Sequence, residues 1–238
     1  STAGAMAQLA EGDKADWFLV ENEGIYIGYK YYETRYEDLV LGNGGADATA
    51  GSSTGNAWNY AEEVTYPFGY GLSYTTFSIE GKLISRIQEK NGETKIRLEA
   101  RVTNTGECAG REVLQCYAQV PQGKLGNPLR RLVYFFKTEK LQPGESVSKM
   151  IEITGYDLAS YDDSGVTGNR SAYVLEQGTY TFYIGSDVRS AAYAGECHLE
   201  AQVAEQLQEA MAPVSVFQRM KPEKGKDGYR LAWEEVPV

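Results

Sequence analysis

The sequence has few residues of the types that bind metals or form disulfides. It contains one histidine, His198, and three cysteines, Cys108, Cys116 and Cys197. An odd number of cysteines without a C-x-x-C pair favours free thiols in a reducing setting, or small core residues, over a disulfide framework. A zinc site needs a cluster of such ligands, so we expect no metal site.

Long apolar runs and an excess of positive charge are also missing. No apolar stretch approaches the roughly 18 residues needed to span a bilayer, so no membrane insertion is expected within this chain. Residues 1–16 are small and acidic and do not resemble a signal peptide. The 23 basic and 33 acidic residues give a net charge of −10, which repels phosphate backbones and argues against nucleic-acid binding.

Tyrosine and glycine are abundant instead, with 18 and 26 residues, and several stretches alternate between apolar and polar residues. This alternation predicts half-buried strands at residues 95–102, 113–120 and 179–184, and a weaker one at 198–203. Turn signals lie between the alternating stretches: Asn91-Gly92, Asn104-Thr105-Gly106, Pro143-Gly144 and Gln177-Gly178. Short strands separated by such turns predict a mainly β protein built on an antiparallel β-sandwich.

The segments on either side of this block follow other patterns. Residues 25–32 form one apolar-aromatic run, which we interpret as a strand packed between domains. Residues 42–59 contain almost no apolar side chains and predict a flexible loop. Residues 203–211 carry apolar side chains at helical spacing and predict a short helix that Pro213 ends, although periodicity alone does not distinguish this helix from an extended arm. Residues 217–238 indicate a connector with little core of its own.

Residues 66–77 read YPFGYGLSYTTF and are the most specific string in the chain. Proline fixes one turn, the glycines let the backbone pass close to aromatic neighbours, and the aromatic rings supply a wedge between packed bodies. The string closely resembles the PFGYGLSYTTF signature of family 3 glycoside hydrolases, the β-glucosidase family. That signature lies at the junction between an α/β sandwich domain and a fibronectin type III-like domain. The resemblance implies these interdomain junction residues: Tyr66, Pro67, Phe68, Gly69, Tyr70, Gly71 and Tyr74.

Other segments resemble the same family in the same order, over roughly residues 21–36 and 64–187. Residues 23–33 are similar to the EGIYVGYRYYD segment that precedes the junction. The family's fibronectin-like domain is matched by residues 102–106, 109–115, 141–145, 158–162 and 176–180. A family glycine is replaced around residues 133–135, and Tyr173 stands where a tryptophan is usual. Both are apolar strand positions, so the packing changes whereas the fold need not.

The catalytic parts of that family find no match here. The resemblance implies a retaining mechanism that uses two carboxylates and no cofactor. One carboxylate is an Asp in an SDW motif on a barrel domain, and the other is a Glu on the α/β sandwich domain. Asp16-Trp17 is the nearest string, but Ala15 stands where the motif has serine. A barrel of about 200 residues or more has no room in this chain. We therefore assign no catalytic residue and predict an inactive fragment of a longer parent protein.

The resemblance implies three regions and a structural role. Residues 1–74 would be the tail of the α/β sandwich domain with its loop and junction. Residues 75–203 would be a fibronectin type III/immunoglobulin-like sandwich. Residues 204–238 would be a connector, similar to that of family members in which the barrel domain follows the fibronectin-like domain. The chain would clamp the barrel and α/β domains of a parent enzyme that hydrolyses β-glycosides. The carbohydrate substrate would be a partner of the chain only as part of that parent enzyme. The alternative is a free-standing carbohydrate-binding or adhesion module.

Two further groups of residues are candidates for a role. Trp58 and Tyr60 could line the rim of a sugar pocket, since aromatic faces stack on pyranose rings, or could anchor the loop that carries them. Glu33, Glu37 and Asp38 form an acidic cluster that we interpret as a solvated, partly paired surface. The reduced cysteines favour a soluble parent in the bacterial cytoplasm or associated with the cell.

Overall fold

The chain divides into two compact units in a computed structural model. The sandwich unit comprises residues 65–208, and the flanking unit comprises residues 1–64 together with 209–238. The structure describes these residues: 5–8, 17–20, 24–39, 49, 51–89, 92–208, 216–225 and 228–236. Within them, no helix is long and apolar enough to cross a membrane.

Strands dominate the described part of the chain, which also contains three α-helices and one short 3₁₀ helix. The elements are β1 (Ala5–Gln8), β2 (Trp17–Val20), the 3₁₀ helix Gly24–Tyr26, α1 (Tyr29–Leu39), α2 (Tyr60–Glu63), β3 (Phe77–Gln88), β4 (Thr94–Asn104), β5 (Val113–Gln119), β6 (Arg131–Lys137), β7 (Ser146–Thr154), α3 (Gly155–Leu158), β8 (Ser160–Asp162), β9 (Ala172–Leu175), β10 (Gly178–Gly185), β11 (Ala192–Leu199), β12 (Gln202–Gln206), β13 (Phe217–Gly225) and β14 (Gly228–Val236).

Three antiparallel sheets build the sandwich unit. The first sheet has the order β3-β4-β7, the second β11-β10-β5-β6, and a small third sheet β12-β9-β8. Alternate residues of β4, β5 and β10 point into one buried apolar core. Its largest contributors are Ile96, Leu98, Val102, Leu114, Cys116, Ile151, Ile153, Tyr180, Phe182 and Ile184. The predicted mainly β, antiparallel sandwich is confirmed, because period-two alternation reports directly which strand face is buried.

The predicted strand at residues 25–32 is wrong. The 3₁₀ helix and α1 occupy this run instead, and the backbone reverses between them at Gly28, whose φ is +61°. Four-residue spacing explains the helix: Thr34 donates to the Lys30 carbonyl, and Arg35 donates to the Tyr31 hydroxyl at 2.6 Å. The aromatic run lacks strict alternation, and helical contacts between residues four apart decide its structure.

The predicted helix at residues 203–211 is also wrong over the part that the structure describes. Residues 202–206 form β12, which pairs with β9, and residues 209–211 lie outside the described residues. The weak strand predicted at 198–203 is divided, because β11 ends at Leu199 before β12 begins. Pairing with β9, distant in sequence, overrides the local helical spacing.

The predicted connector at residues 217–238 contains an antiparallel hairpin. Strands β13 and β14 pair along nine residues each, from Phe217 opposite Val236 to Gly225 opposite Gly228. The loop predicted at residues 42–59 agrees with the turns and bends of residues 51–57. Residues 42–48 lie outside the described part of the chain.

Candidate functional site

The junction motif belongs to the sandwich unit and begins with a tight turn. Tyr70 donates its backbone N–H to the Pro67 carbonyl at 3.0 Å, which closes a four-residue turn. Gly69, the third residue of the turn, has a φ of +85°. That conformation is strained for a residue with a Cβ, so the turn requires glycine at position 69.

Two buried side chains of β5 hold this turn against the outer face of the second sheet. The Gln115 amide donates to the carbonyl of Gly69 at 3.0 Å and to that of Ser186 at 2.5 Å. The Tyr117 hydroxyl donates to the Gln115 amide oxygen at 2.5 Å and lies 3.3 Å from the Phe68 carbonyl oxygen. These hydrogen bonds thus replace the ones that the junction carbonyls would make with water, and each contributes about 1 kcal/mol to stability.

A backbone hydrogen bond adds to this attachment. Val188 donates its N–H to the Phe68 carbonyl at 3.0 Å. The Val188 carbonyl in turn accepts from Arg130 at 2.9 Å, and the Arg130 guanidinium lies 4.0 Å from the centre of the Tyr183 ring. The turn is therefore fixed to two segments of the sandwich unit, β5 and the loop after β10, and Arg130, the residue before β6, supports that loop through Val188.

The side chains of the same motif remain outside. Tyr66 and Tyr70 stack with ring centroids 5.1 Å apart and planes inclined by 21°. Five large apolar side chains of the motif are exposed, Tyr66, Phe68, Tyr70, Leu72 and Tyr74, whereas Phe77 at its end packs against the core. A rigid backbone that presents a contiguous group of exposed apolar rings is typical of an interaction surface.

Trp58 and Tyr60 lie in the flanking unit, where both contact α1. The Tyr60 hydroxyl donates to the Glu33 carboxylate at 2.5 Å, and the Tyr60 ring meets that of Tyr36 edge-on at 5.0 Å. The Trp58 side chain is only 5% exposed, and the Arg35 guanidinium lies 5.2 Å from its ring centre. The end of the loop is thereby attached to successive turns of one helix.

The solvated acidic cluster predicted around Glu33 is wrong for that residue. Glu33 is 1% exposed and Arg35 is also buried, so both charges lie inside the flanking unit. The side chains of Glu37 and Asp38 lie outside the described residues. Burial of Glu33 depends on Tyr60, which is 27 residues away, and no local pattern reports such a partner.

Buried acids elsewhere have structural partners. Both oxygens of the Asp162 carboxylate accept hydrogen bonds, from the backbone of Gly165, Val166 and Thr167 and from the Thr167 hydroxyl. Burial raises the pKa of Asp162, but these hydrogen bonds outweigh burial, and the pKa lies below its usual range. The carboxylate therefore organises the loop between β8 and β9.

The described residues include no group of three or more His, Cys, Asp or Glu side chains that could hold a metal ion. All three cysteines are free, and burial raises the pKa of the Cys116 thiol to about 12. Asp16 of the Asp16-Trp17 string lies outside the described residues. His198 has a half-exposed side chain, as its outward position in the strand pattern predicts.

The sequence alone did not indicate that Gln115 and Tyr117 hold the junction turn. Both occupy outward positions of β5, between the core residues Leu114, Cys116 and Ala118. A glutamine and a tyrosine on the outward face of a strand are ordinary surface residues in sequence. Their burial depends on segments that are distant in sequence, because Gln115 bonds Gly69, 46 residues away, and Ser186, 71 residues away.

Comparison with known proteins agrees with this architecture. Residues 112–188, which contain β5 to β10, match the fibronectin type III-like domain, Fn3-like. The chain is 39% identical over 217 residues to a β-glucosidase of Ruminococcus albus, covering 91% of this chain and 19% of that protein. It is 35% identical over 234 residues to β-glucosidase A of Butyrivibrio fibrisolvens, covering 93% and 25%. The fold thus defines a protein with a fibronectin type III-like sandwich.

A solved structure shares this fold over most of the chain. The β-glucosidase of Paenibacillus barengoltzii matches with a TM-score of 0.72 and 39% identity, covering 91% of this chain and 22% of that one. The chain belongs to glycoside hydrolase family 3, in the region that carries the fibronectin type III-like domain. It spans about a fifth to a quarter of the length of these relatives.

Proposed function

We propose that this chain is a non-catalytic structural part of a β-glucosidase-like parent enzyme and that it docks the catalytic domains through its junction motif. The junction turn carries this proposal. The backbone of Phe68 and Gly69 is hydrogen-bonded to the sandwich unit, while the rings of Tyr66 and Tyr70 face outward. A surface that is ordered before it meets its partner loses little conformational entropy on docking.

The role proposed for the chain in the parent reaction is positioning. Retaining hydrolysis of β-glycosides needs two carboxyl groups about 5 Å apart, one as nucleophile and one as acid and base. In this proposal both carboxyl groups lie in other domains of the parent, and the reaction uses no cofactor. The rigid junction then keeps the neighbouring domains in register, since small displacements of reacting groups cost large factors in rate.

Trp58 and Tyr60 are proposed to shape the rim of the sugar pocket indirectly, by fixing the loop that lies there. They contact Glu33, Arg35 and Tyr36 of α1, and these contacts support a role in fixing the loop that precedes them. The fixed loop, residues 51–57, would then lie at the pocket rim. Direct stacking of either ring on a sugar stays a prediction.

Hydrolysis of p-nitrophenyl β-glucoside tests the proposed function. We expect activity in the complete product of the gene that contains this sequence and none in the 238-residue chain alone. Activity of the chain alone would place the reacting carboxylates inside it and contradict the proposal. Binding of the chain to β-glucan, with an inactive complete product, would favour the free-standing carbohydrate-binding module instead.

A further inference from the structure

We infer that the docking surface is not confined to the junction motif but continues across the outer face of the second sheet, from Phe135 on one edge strand to Tyr193 on the other. The occupant is the remainder of the same parent protein. This inference rests on the proposed function and adds to it two residues that no motif indicates.

The strand register brings Phe135 beside the junction turn. Phe135 of β6 lies directly opposite Gln115 of β5, and residues opposite one another in an antiparallel pair share a face. Gln115 uses that face to hold the Gly69 carbonyl. Phe135 is 67% exposed, so a large apolar ring stands uncovered next to the clamped turn.

The opposite edge of the sheet repeats this arrangement. Tyr117 of β5 lies opposite Tyr183 of β10, and Tyr183 lies opposite Tyr193 of β11. The rings of Tyr183 and Tyr193 meet edge-on with centroids 6.3 Å apart. Tyr117 is covered by the junction turn, whereas Tyr193 is 60% exposed. An aromatic row thus crosses the sheet, covered at its centre and uncovered at its β11 end.

These exposed rings lie on the side of the second sheet that carries the junction turn. The stacked pair Tyr66 and Tyr70 flanks the turn, and Phe135 and Tyr193 lie on the sheet edges to either side. Large apolar side chains exposed together on one side of a sheet are typical of an interaction site. The turn lies against Gln115 and Tyr117 on this same side of the sheet, which places a partner docked on the motif beside the exposed rings of the sheet edges.

The remainder of the parent is the occupant for two reasons. The chain spans 19% and 25% of the two curated relatives, so most of a protein of that length lies outside it. The exposed face is also continuous with the motif through which the chain is proposed to join its neighbours. The partner surface should be apolar, with hydrogen-bond acceptors for the hydroxyls of Tyr66, Tyr70 and Tyr193.

Met150 offers a matched reference on the other side of the sandwich. It lies on β7 opposite Glu99, on the outer face of the first sheet, and is 53% exposed. Its exposure is comparable to that of Phe135 and Tyr193, but it shares neither their sheet nor the junction turn.

Hydroxyl-radical labelling of the complete gene product, read by mass spectrometry and normalised to the intrinsic reactivity of each residue type, tests the extension. We expect Phe135, Tyr193, Tyr66 and Tyr70 to be labelled several-fold more slowly than Met150. Free labelling of Phe135 or Tyr193 together with protection of Tyr66 and Tyr70 would overturn the extension and leave the proposed function standing. Free labelling of all four aromatic residues would overturn both.

Substitution provides a second measurement on the complete product. Phe135→Ser should lower the temperature of half-inactivation, because a buried apolar contact is lost, whereas Met150→Ser should leave it unchanged. Equal effects of the two substitutions would overturn the extension. Both side chains are exposed in the sandwich unit, so neither change removes a core residue.

Discussion

At the scale of single residues, the two glycines of the junction motif differ in what their positions require. Gly69 has a positive φ, and a Cβ at this position would overlap the Gln115 side chain. Gly71 has no positive φ, and a Cβ there would meet nothing within 4 Å. The two positions are alike in sequence, and the fold makes one of them necessary.

Gly69→Ala is therefore expected to destabilise the sandwich unit by about 1–3 kcal/mol, because it adds backbone strain and displaces the Gln115 amide. Gly71→Ala is the matched control and should change stability little. Urea unfolding followed by circular dichroism measures both. Equal unfolding midpoints for the two variants would mean that the turn is not held as described.

Asp162 is expected to make stability depend on pH. Its pKa in the folded chain lies below the value in the unfolded chain, so its contribution is complete above the unfolded pKa of about 3.9 and is lost as the pH falls through the folded pKa. At pH 7, Asp162→Asn should cost about 1–3 kcal/mol through weaker hydrogen bonds to the loop. The cost should shrink as the pH falls from about 5 towards 3.

Urea unfolding at several pH values measures this difference. Glu107→Gln is the control, because this acid is exposed in a turn and should show no comparable loss at pH 7. A difference between Asp162→Asn and the unchanged chain that stays constant from pH 7 to pH 3 would contradict the role given to the carboxylate.

At the scale of elements, the attachment of residues 51–59 to α1 depends on the Tyr60 hydroxyl. Tyr60→Phe removes its hydrogen bond to the buried Glu33 carboxylate, and a charged partner makes this loss worth about 1.5–3 kcal/mol. Hydrogen–deuterium exchange of residues 51–59 should become faster. The control is Tyr32→Phe, on the same helix, whose ring contacts that of Tyr31. Equal exchange in both variants would show that aromatic packing alone holds the loop.

Elements differed in how far they could be predicted from sequence. β4 and β10 alternate strictly, and their apolar faces are the buried ones, as in Ile96, Leu98 and Phe182. The sequence predicted only the start of β12, within a weak strand at 198–203, since the pairing with β9 makes the rest of it a strand. The run at residues 25–32 is rich in residues that favour strands, and it folds as helix because its contacts lie one turn apart.

At the scale of the whole molecule, the extent of the sandwich unit differs from the region expected to form the sandwich. The compact unit covers residues 65–208, which includes the junction turn and all of β12. Residues 75–203 alone lack the turn that covers Gln115 and Tyr117. They also lack the Leu207 N–H that donates to the Ser171 carbonyl.

A fragment of residues 65–208 is expected to unfold cooperatively and to be more stable than residues 75–203 by about 2–5 kcal/mol, from several hydrogen bonds worth about 1 kcal/mol each. Chemical unfolding of both fragments measures the difference. A third fragment, residues 75–208, separates the contribution of the junction turn from that of β12. Equal stability of all three would mean that neither segment is part of the cooperative unit.

The sequence by itself determined the sandwich class and the family, because alternation within a strand and the string at residues 66–77 are both local patterns. It could not determine which residues hydrogen-bond to the junction turn. Gln115 lies 46 residues from Gly69, and its burial depends on that contact. The same holds for Glu33, whose partner Tyr60 lies 27 residues away. Side chains that are polar in sequence become buried only when a distant segment satisfies their hydrogen bonds, and only the tertiary structure brings that segment to them.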